Sequence, residues 1–562
     1  MRHCLILSIA LLVACQPDKK LPSGISGKTG DSAMVVCAHP LAAAVGKAVL
    51  QRGGNAIDAA VAVQLSLVVT FPAAGNIGGG GFLVYRQKDG KLFSLDYREK
   101  APAAAFTDMY LDKDGNVVPN LSTEGHLASG VPGTIDGLVE MHRKFGSLPW
   151  KDLVQPAIDL ATNGVVLTRR EAENLNNVVP ELKKYNTVQP EFLYKTWKEG
   201  DTVRWAELAQ TLGRIRDGGR AGFYEGKTAD DLVSEMKRGK GIITHEDLKK
   251  YQSRWLEPVT AYYKNYRVIS MPPPSSGGVA LIQLLKSVEK YPIGNWGYNS
   301  SKAIHLMTEA ERRVYADRAT YLGDPGFYNV PVRQLIESDY NTARMKSFNP
   351  EKATPSSEVK RGELPGYESE ETTHISIIDK YGNAAAITTT LNEWFGNKVI
   401  VAGSGFFLND EMDDFSAKPG VPNIFGLLGG KANKIEPGKT MLSAMTPTIL
   451  EKDGKLFMVV GSPGGSTIIT SVFQVILNVT EHGMGMQEAV NAKRVHAQWL
   501  PDLIVPEDST LTPAVEADLT RLGHKIKSRA RIGRVDAILV RSDGKLEAGA
   551  DYRRGDDSAD GY

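Results

Sequence analysis

A β-hairpin is predicted between Thr372 and Thr390, and its turn fixes which residues of the two strands lie opposite each other. The stretch THISIID has the β-branched residues and the alternation of a strand, and AAAITTTL is its predicted partner. The three-residue loop between them carries Gly382 at its third position, which is typical of a type I turn that ends in a left-handed glycine. This turn pairs Asp379 with Asn383. Counting outward from that pair along both strands places Thr372 opposite Thr390.

The two threonine hydroxyls at the open end of this hairpin allow two interpretations. Directly opposed side chains have Cβ atoms about 4.5–5.5 Å apart, so the pair could simply stabilise the sheet. A threonine becomes a strong nucleophile, however, when it is N-terminal, because its own α-amino group, with a pKa of about 7.7–8.0, then acts as the base. Thr372 reaches that position only if the chain is cut before it. The polar segment 340–370, with Pro365 and Gly366, is predicted to be exposed and flexible, which suits such a cut.

Composition and charge limit the classes of function. The 562 residues are 42% hydrophobic, which is enough for a substantial core, and 66 Lys and Arg against 65 Asp and Glu leave a net charge of +1. A nucleic-acid partner is therefore not expected, since such proteins usually present a basic face. The sequence contains neither a His-Glu-x-x-His motif nor a Cys-x-x-Cys pair, so neither a metal site nor a cofactor is predicted.

The N-terminus is predicted to direct export. Residues 1–14 have the positive charge and the short apolar run of a signal peptide. The sequence Leu-Val-Ala-Cys, ending at Cys15, is similar to a bacterial lipobox, in which the cysteine is lipidated; cleavage of a plain signal peptide near Ala14 is the alternative. Residues 15–32 are predicted to be a polar tether. We therefore expect a periplasmic protein anchored to the membrane by lipid, and to the outer membrane if the host is Gram-negative, since Gln16 follows the cysteine.

The remainder of the chain, from about Ala33, is predicted to be globular. Residues 39–69 are predicted to form two Ala-rich helices with small residues spaced for close packing. Residues 75–99 are predicted to form a glycine turn followed by two strands. Residues 134–265 are predicted to be mostly helical, and the rigid loop PPPSSGG at 272–278 is predicted to enter another helix.

Motifs along nearly the whole chain after the tether resemble those of one enzyme family. TTHISIIDKYGNAAAITTTLN, FLNDEMDDFSAKPGVPN, LSAMTPTI and GSPGGS resemble the small subunit of γ-glutamyltranspeptidases. GNIGGGGF, DYREKAP, ASGVPGT, PPPSSGG and ADRATYLGDP resemble the large subunit of the same family. Their order and spacing match as well.

The resemblance implies an α+β fold of the N-terminal nucleophile hydrolase type, a four-layer αββα sandwich formed jointly by two autoprocessed subunits. The precursor would cut itself between Glu371 and Thr372, giving a large subunit of residues 33–371 and a small catalytic subunit of residues 372–562. The implied reaction transfers the γ-glutamyl group of glutathione, or of another γ-glutamyl compound, to water or to the amine of an amino acid or peptide.

The resemblance also implies the catalytic residues. Thr372 would attack the γ-amide carbonyl and form an ester, and Thr390 would hold its hydroxyl by a hydrogen bond. Gly464 and Gly465 lie where a loop enters an apolar helix, and main-chain N–H groups at a helix start suit a developing oxyanion. Without the family, this Pro-Gly-Gly sequence could be a plain turn.

The donor's free α-carboxylate and α-ammonium groups need partners. By resemblance, Arg98 and Ser443 would bind the carboxylate, for which a guanidinium is well shaped. Asn392, Glu411 and Asp414 would receive the ammonium. Considered alone, Arg98 could be an ordinary ion-pair residue, and the acidic stretch NDEMDDFS could be an acidic or calcium-binding loop, although it lacks the EF-hand order.

Two features near the donor site concern specificity. Ala444 stands where many family members have a second serine, so one hydroxyl is missing and donor affinity is in doubt. Residues 418–430 resemble a lid loop, in which Phe425 would close the site and exclude water. An ordinary Pro/Gly-rich loop is the alternative.

Three other functions are compatible with parts of the pattern. Cephalosporin or glutaryl acylases keep the nucleophile but alter the glutamate-binding residues, so the retained Arg98, Asn392, Asp414 and Ser443 argue against them. An inactive lipoprotein that only binds γ-glutamyl compounds would not need Thr372. An enzyme acting on poly-γ-glutamate would need an open groove, which the lid loop argues against.

Overall fold

The computed structural model describes residues 25–359, 372–418, 421, 423, 427, 429–553 and 555–562. The signal peptide and the first part of the tether lie outside these residues, as do Cys15, Pro365, Gly366, Glu371 and Phe425, which were named above. Within the described ranges, no helix is long and apolar enough to cross a lipid bilayer.

Two seven-stranded antiparallel sheets form the centre of the molecule. The strands are β1 (Thr29–Gly30), β2 (Met34–Cys37), β3 (Gly80–Arg86), β4 (Leu92–Asp96), β5 (Val165–Val166), β6 (Thr202–Val203), β7 (Arg254–Leu256), β8 (Val259–Tyr263), β9 (Tyr266–Ser270), β10 (Thr373–Ile378), β11 (Ala384–Thr390), β12 (Thr448–Lys452), β13 (Lys455–Gly461), β14 (Val495–His496), β15 (Val505–Pro506), β16 (Asp536–Val540), β17 (Leu546–Gly549) and β18 (Ser558–Gly561). One sheet has the order β1-β17-β16-β13-β12-β9-β8, and the other has the order β18-β2-β10-β11-β3-β4-β7. The four remaining strands form two short pairs, β5 with β6 and β14 with β15.

Helices surround the sheets. They are α1 (Pro40–Gln51), α2 (Ala56–Thr70), α3 (Thr134–Phe145), α4 (Trp150–Asn163), α5 (Arg169–Tyr185), α6 (Ala206–Gly218), α7 (Ala221–Tyr224), α8 (Gly226–Gly239), α9 (His245–Lys250), α10 (Gly277–Val288), α11 (Ile293–Trp296), α12 (Ser301–Tyr321), α13 (Val332–Leu335), α14 (Ser338–Arg344), α15 (Thr467–Thr480), α16 (Met486–Asn491) and α17 (Pro513–Arg521).

The elements stack in four layers, which confirms the predicted αββα sandwich. Strands β2, β10 and β11 face β13, β16 and β17 across the centre, α1 and α2 cover one outer face, and α10 and α15 cover the other. Alternate residues of β2 show the arrangement: Met34 and Val36 lie in the core between the sheets, whereas Val35 and Cys37 pack on the helical side. Both faces of β2 are therefore buried, which is why this strand, Met-Val-Val-Cys, is apolar along its whole length.

The predicted hairpin is formed by β10 and β11, and its register agrees with the prediction. Thr373 pairs with Thr389, and the Asp379 N–H donates to the Asn383 carbonyl at 3.1 Å. Gly382 has a φ of +89°, the left-handed conformation that the turn requires. The strands β2 and β3 flank the hairpin, so it lies in the middle of its sheet.

The other predictions of local structure are confirmed for some segments and not for others. The two Ala-rich helices are confirmed, and Gly46 of α1 lies so close to α2 that a Cβ atom there would be 2.6 Å from Val63. The helical prediction for 134–265 extends too far, because its last residues form β7 and β8. The prediction of an exposed segment from residue 340 holds only in part for residues 340–359, where exposed positions such as Lys346 and Glu351 alternate with buried ones. Helix α14 and buried residues, among them Asn341 and Met345, occur there because tertiary contacts bury polar and apolar side chains alike.

Both sheets contain strands from before and after residue 372. In the second sheet β2, from before residue 372, lies between β18 and β10, from after it. In the first sheet β12 pairs with the earlier strand β9, and β17 pairs with the earlier strand β1. Residues on either side of the predicted cut therefore share each hydrogen-bonded sheet.

Candidate active site

Thr372 and Thr390 line a cavity at the open end of the hairpin. The cavity brings together most of the residues predicted to act in catalysis or donor binding. Its lining consists of Arg98, Thr372, Thr390, Asn392, Glu411, Asp414, Leu427, Ser443, Ala444, Met445, Gly465 and Ile468. The individual roles of these residues stay predictions, but the sequence is correct that they meet in one place.

The sheet positions the two threonines. The last pair of β10 and β11 is Thr373 with Thr389, and extending that register by one residue places Thr372 opposite Thr390. Thr372 is only 6% exposed. The Thr390 Oγ1 atom accepts a hydrogen bond from the Asn392 N–H at 2.8 Å, which ties this hydroxyl to the turn that follows β11. A nucleophile at residue 372 would thus lie directly before the first residue of a central strand.

His374, two positions after Thr372, does not line the cavity. His374 is fully buried, and burial lowers the pKa of its imidazole to about 3, so the ring is neutral. Its Nδ1 atom lies 2.9 Å from the Thr388 hydroxyl and its Nε2 atom lies 3.1 Å from the Ser376 hydroxyl. Both ring nitrogens are therefore engaged inside the core.

Two left-handed glycines precede α15 beside the threonines. Gly464 has a φ of +133° and Gly465 a φ of +51°, conformations that side chains rarely adopt. The Thr467 N–H and hydroxyl donate to the Gly464 carbonyl at 2.9 and 2.7 Å, so the carbonyl points into the helix start. In the described part of the chain neither glycine N–H donates a hydrogen bond, so these amides remain free to bind an anion at the positive end of α15.

Arg98 is buried in contact with acidic side chains. Its Nη2 atom lies 2.8 Å from Glu411 Oε2 and also pairs with the Asp414 carboxylate. Its Nε atom donates to the Met441 carbonyl at 3.2 Å. The residue predicted to bind a carboxylate thus contacts two residues predicted to bind an ammonium group. This arrangement is complementary to the zwitterionic end of an amino acid.

Burial strongly perturbs these carboxylates. It raises the pKa of Glu411 to about 7, although Arg98 opposes the shift, and it raises the pKa of Asp414 in the same way. Glu99, which the sequence analysis missed, is also fully buried, and burial followed by the Glu411 charge raises the pKa of its carboxyl. The signal was available, because Glu99 directly follows Arg98 in DYREKAP.

Ser443 is positioned by the PPPSSGG loop. The Ser276 N–H donates to the Ser443 carbonyl at 2.8 Å, and the Ser443 N–H donates to the Pro274 carbonyl at 3.1 Å. Arg318 of α12, itself buried, donates from Nε to the Ser276 hydroxyl at 2.8 Å. The predicted loop does enter a helix, α10. Ala444 presents its methyl group at the cavity wall next to Ser443.

The acidic stretch supplies both cavity and supporting residues. A short 3₁₀ turn, Glu411–Asp414, carries two of the predicted ligands. Asn392 has a φ of +77°, and its Nδ2 atom donates to the main-chain oxygen and to the Oδ2 atom of Asp410, both at 3.1 Å. Asp410 is a further residue that the sequence analysis missed. Among the described residues, no cluster of His, Cys, Asp and Glu is arranged to hold a metal ion.

Comparisons with known proteins agree on one family. The sequence model of the family described as Gamma-glutamyltranspeptidase matches residues 42–561. The glutathione hydrolase proenzyme of Pseudomonas sp. (strain A14) is 46% identical over 519 residues, which cover 91% of this chain and 89% of that protein. The glutathione hydrolase proenzyme of Escherichia coli (strain K12) is 43% identical over 532 residues, which cover 94% of this chain and 92% of that protein.

A solved acylase has the same overall fold. The crystal structure of cephalosporin acylase from Bacillus halodurans superposes with a TM-score of 0.85, at 26% sequence identity, and covers 98% of this chain and 99% of its own.

Proposed function

Because this chain belongs to the γ-glutamyltranspeptidase family, we propose that it is a glutathione hydrolase and γ-glutamyltransferase made as a self-cleaving precursor. One observation carries the proposal: a single cavity is lined by Thr372, by Gly465 of the two-glycine turn, and by Arg98 with its acidic partners Glu411 and Asp414. These supply, in order, a nucleophile, an oxyanion site and a site for an amino-acid end group.

The reaction proceeds through an ester on Thr372. Once the chain is cut, the free α-amino group of Thr372 takes the proton of its own hydroxyl, and Oγ1 attacks the γ-amide carbon of the donor. The N–H groups of Gly464 and Gly465 stabilise the resulting oxyanion, a contribution worth about 2.7–4 kcal/mol for each donor. The proton passes to the leaving nitrogen as the amide bond breaks. Water, or the amine of an amino acid or peptide, then attacks the ester and regenerates the threonine.

Donor recognition uses Arg98 and its acidic partners Glu411 and Asp414. The donor α-carboxylate binds Arg98, assisted by Ser443, and the α-ammonium binds among Asn392, Glu411 and Asp414. A guanidinium paired with a carboxylate forms strong charge-assisted hydrogen bonds, so the exchange of partners beside the buried Arg98 favours a zwitterionic ligand.

The main alternative is an acylase for donors that lack the α-amino group. This alternative is considered because cephalosporin acylase from Bacillus halodurans has the same fold. The two carboxylates on Arg98 argue against it, because a donor without an ammonium group would leave Glu411 and Asp414 without a new partner. The higher identity to two glutathione hydrolase proenzymes, 46% and 43%, points the same way.

Two further parts of the proposal concern processing and location. The chain would be cut between Glu371 and Thr372, and the two subunits would stay together as a heterodimer. The protein would be exported and anchored through lipid on Cys15, a proposal that is supported by the lipobox-like sequence alone.

A direct assay tests the activity. Purified protein is incubated with glutathione, with and without glycylglycine, and the release of glutamate and cysteinylglycine and the formation of γ-glutamyl-glycylglycine are measured. Both hydrolysis and transfer are expected. A protein that cleaves glutaryl amides but not glutathione would instead be an acylase, and one that turns over neither would contradict the proposal.

A further inference from the structure

We infer that the buried carboxylate of Asp410 fixes the orientation of the Asn392 side-chain amide, so that the amide oxygen faces the donor's α-ammonium group. The inference rests on the proposed function, since it concerns how the donor is selected. Asp410 is fully buried and does not line the cavity, so it acts through Asn392 as a positioning residue.

The main chain of Asn392 is held in an unusual conformation. Its φ of +77° is left-handed, and its N–H donates to the Thr390 hydroxyl at 2.8 Å. The Asp410 N–H donates to the Leu391 carbonyl at 3.0 Å, and the Glu393 N–H donates to Asp410 Oδ1 at 2.9 Å. Asp410 is therefore hydrogen-bonded to Leu391 and Glu393, the residues on either side of Asn392 in the turn that follows β11.

The same carboxylate determines which end of the amide turns toward it. Asn392 Nδ2 lies 3.1 Å from both the main-chain oxygen and the Oδ2 atom of Asp410. The main-chain oxygen of Asp410 only accepts hydrogen bonds, and its two carboxyl oxygens accept from the Glu393 N–H and from Asn392 Nδ2, so a rotated amide would place its own oxygen against acceptors. The amide nitrogen therefore faces Asp410.

The amide oxygen is consequently left for the ligand. In the described part of the chain no group donates to Asn392 Oδ1, and Asn392 lines the cavity together with Glu411 and Asp414. An ammonium group offers three donors and no acceptor. It would be attracted by this oxygen and repelled by the nitrogen of a rotated amide. Asp410 thus favours donors that carry an α-amino group over donors that lack it.

Two matched donors separate this role from a purely structural one. Hydrolysis of L-γ-glutamyl-p-nitroanilide and of glutaryl-p-nitroanilide, which lacks only the amino group, is followed for the wild type and for Asp410→Ala. Inhibition constants of glutamate and glutarate give the same comparison where turnover of the glutaryl compound is too slow. Rates are expressed per amount of cleaved small subunit, so that a change in self-cleavage does not enter.

The expected result is a loss of discrimination. In Asp410→Ala the KM for the γ-glutamyl donor and the inhibition constant of glutamate rise about tenfold or more, as for a lost hydrogen bond to a charged group. Values for the glutaryl donor and for glutarate change less than about twofold, because no ammonium group is present. Asp410→Asn, which keeps one acceptor oxygen, lies between the wild type and the alanine variant.

Controls distinguish the possible failures. Glu451→Ala removes another buried carboxylate, one that pairs with Arg86 at 2.7 Å, and it should lower the melting temperature without changing discrimination. Equal losses for both donors in Asp410→Ala, or no loss for either, would overturn the inference. A wild-type protein that turns over no γ-glutamyl compound would instead overturn the proposed function.

Discussion

The Nη2 atom of Arg98 lies 2.8 Å from the Oε2 atom of Glu411, although the two side chains are predicted to bind opposite ends of the donor. Each charge therefore partly offsets the other. With the roles proposed above, a donor that enters as a zwitterion would replace this internal pair with two external pairs. The contact would then favour zwitterionic donors before any catalytic step.

Self-cleavage tests the nucleophile. Thr372→Ala should remain a single full-length chain, because it lacks the hydroxyl that attacks the preceding carbonyl. Thr372→Ser, which keeps a hydroxyl, should still divide into two fragments. Denaturing gels and N-terminal sequencing of the smaller fragment check both outcomes. Division of the alanine variant at the same bond would remove Thr372 from its assigned role.

Arg98 should control donor binding without affecting maturation. Arg98→Ala should raise the KM for glutathione by about tenfold to hundredfold, in line with roughly 1.5–3 kcal/mol for hydrogen bonds to a charged group. Arg98→Lys should lie between, because it keeps the charge but not the guanidinium fork. Both variants should still cut themselves, since no donor takes part in that step.

A second buried arginine provides the control for Arg98. Arg86→Ala breaks the ion pair of Arg86 with Glu451 and should reduce stability while leaving the KM unchanged. An unchanged KM in Arg98→Ala would place the carboxylate site elsewhere.

The donor KM should depend on pH through Glu411. Burial raises the pKa of this carboxyl to about 7, so the group is neutral below that pH and charged above it. Because the charged form attracts the donor's ammonium group, the KM should rise as the pH falls through about 7. Glu411→Gln should have a higher KM at pH 8 and should lose this inflection. Both enzymes keep the amine of Thr372, so a steady-state pH profile that is identical in the two would contradict the assignment.

Ala444→Ser should strengthen donor binding. Ala444 forms part of the cavity wall, and a hydroxyl there would add about one hydrogen bond to the carboxylate, worth about 0.5–1.5 kcal/mol. The KM should fall by a few-fold to about tenfold. Ser443→Ala should move the KM in the opposite direction. Weaker binding by the serine variant would show that the carboxylate does not approach residue 444.

The lipid anchor is tested at Cys15. Cys15→Ala should release the exported protein from membranes into a soluble fraction, because stable attachment requires acyl chains on this residue. Fractionation followed by immunoblotting measures the change. The same membrane-bound share in wild type and variant would exclude lipidation at this cysteine.

The sequence was informative where structure depends on short-range rules. The β10–β11 register followed from the position of Gly382, since a hairpin turn sets the pairing of the residues on either side. The cavity residues were found by resemblance to a family. Their mutual contacts could not be predicted, because Arg98 and Asp414 are 316 positions apart in the chain.

Composition misled where tertiary contacts bury polar residues. The segment after residue 340 looks solvent-exposed by its polarity. Yet Asn341 is buried because its side-chain amide donates to two main-chain carbonyls, and Ser356 is buried beside Arg312. Asp410 was overlooked for a related reason: an acidic residue next to other acidic residues suggests a solvated loop, whereas this one is enclosed by the turn it holds.

Each sheet combines strands from both predicted fragments, and this bears on the order in which the chain folds and is cut. With the predicted cut before Thr372, β2 would belong to one fragment while both of its neighbours, β10 and β18, belong to the other. Neither fragment would contain a complete sheet, so we expect the chain to fold while it is continuous and to be cut afterwards. A denatured precursor would refold as one chain, whereas the cut pair would have to reassemble from two partners. We therefore expect the lifetime of the cut enzyme to be set by its rate of unfolding and not by a reversible equilibrium.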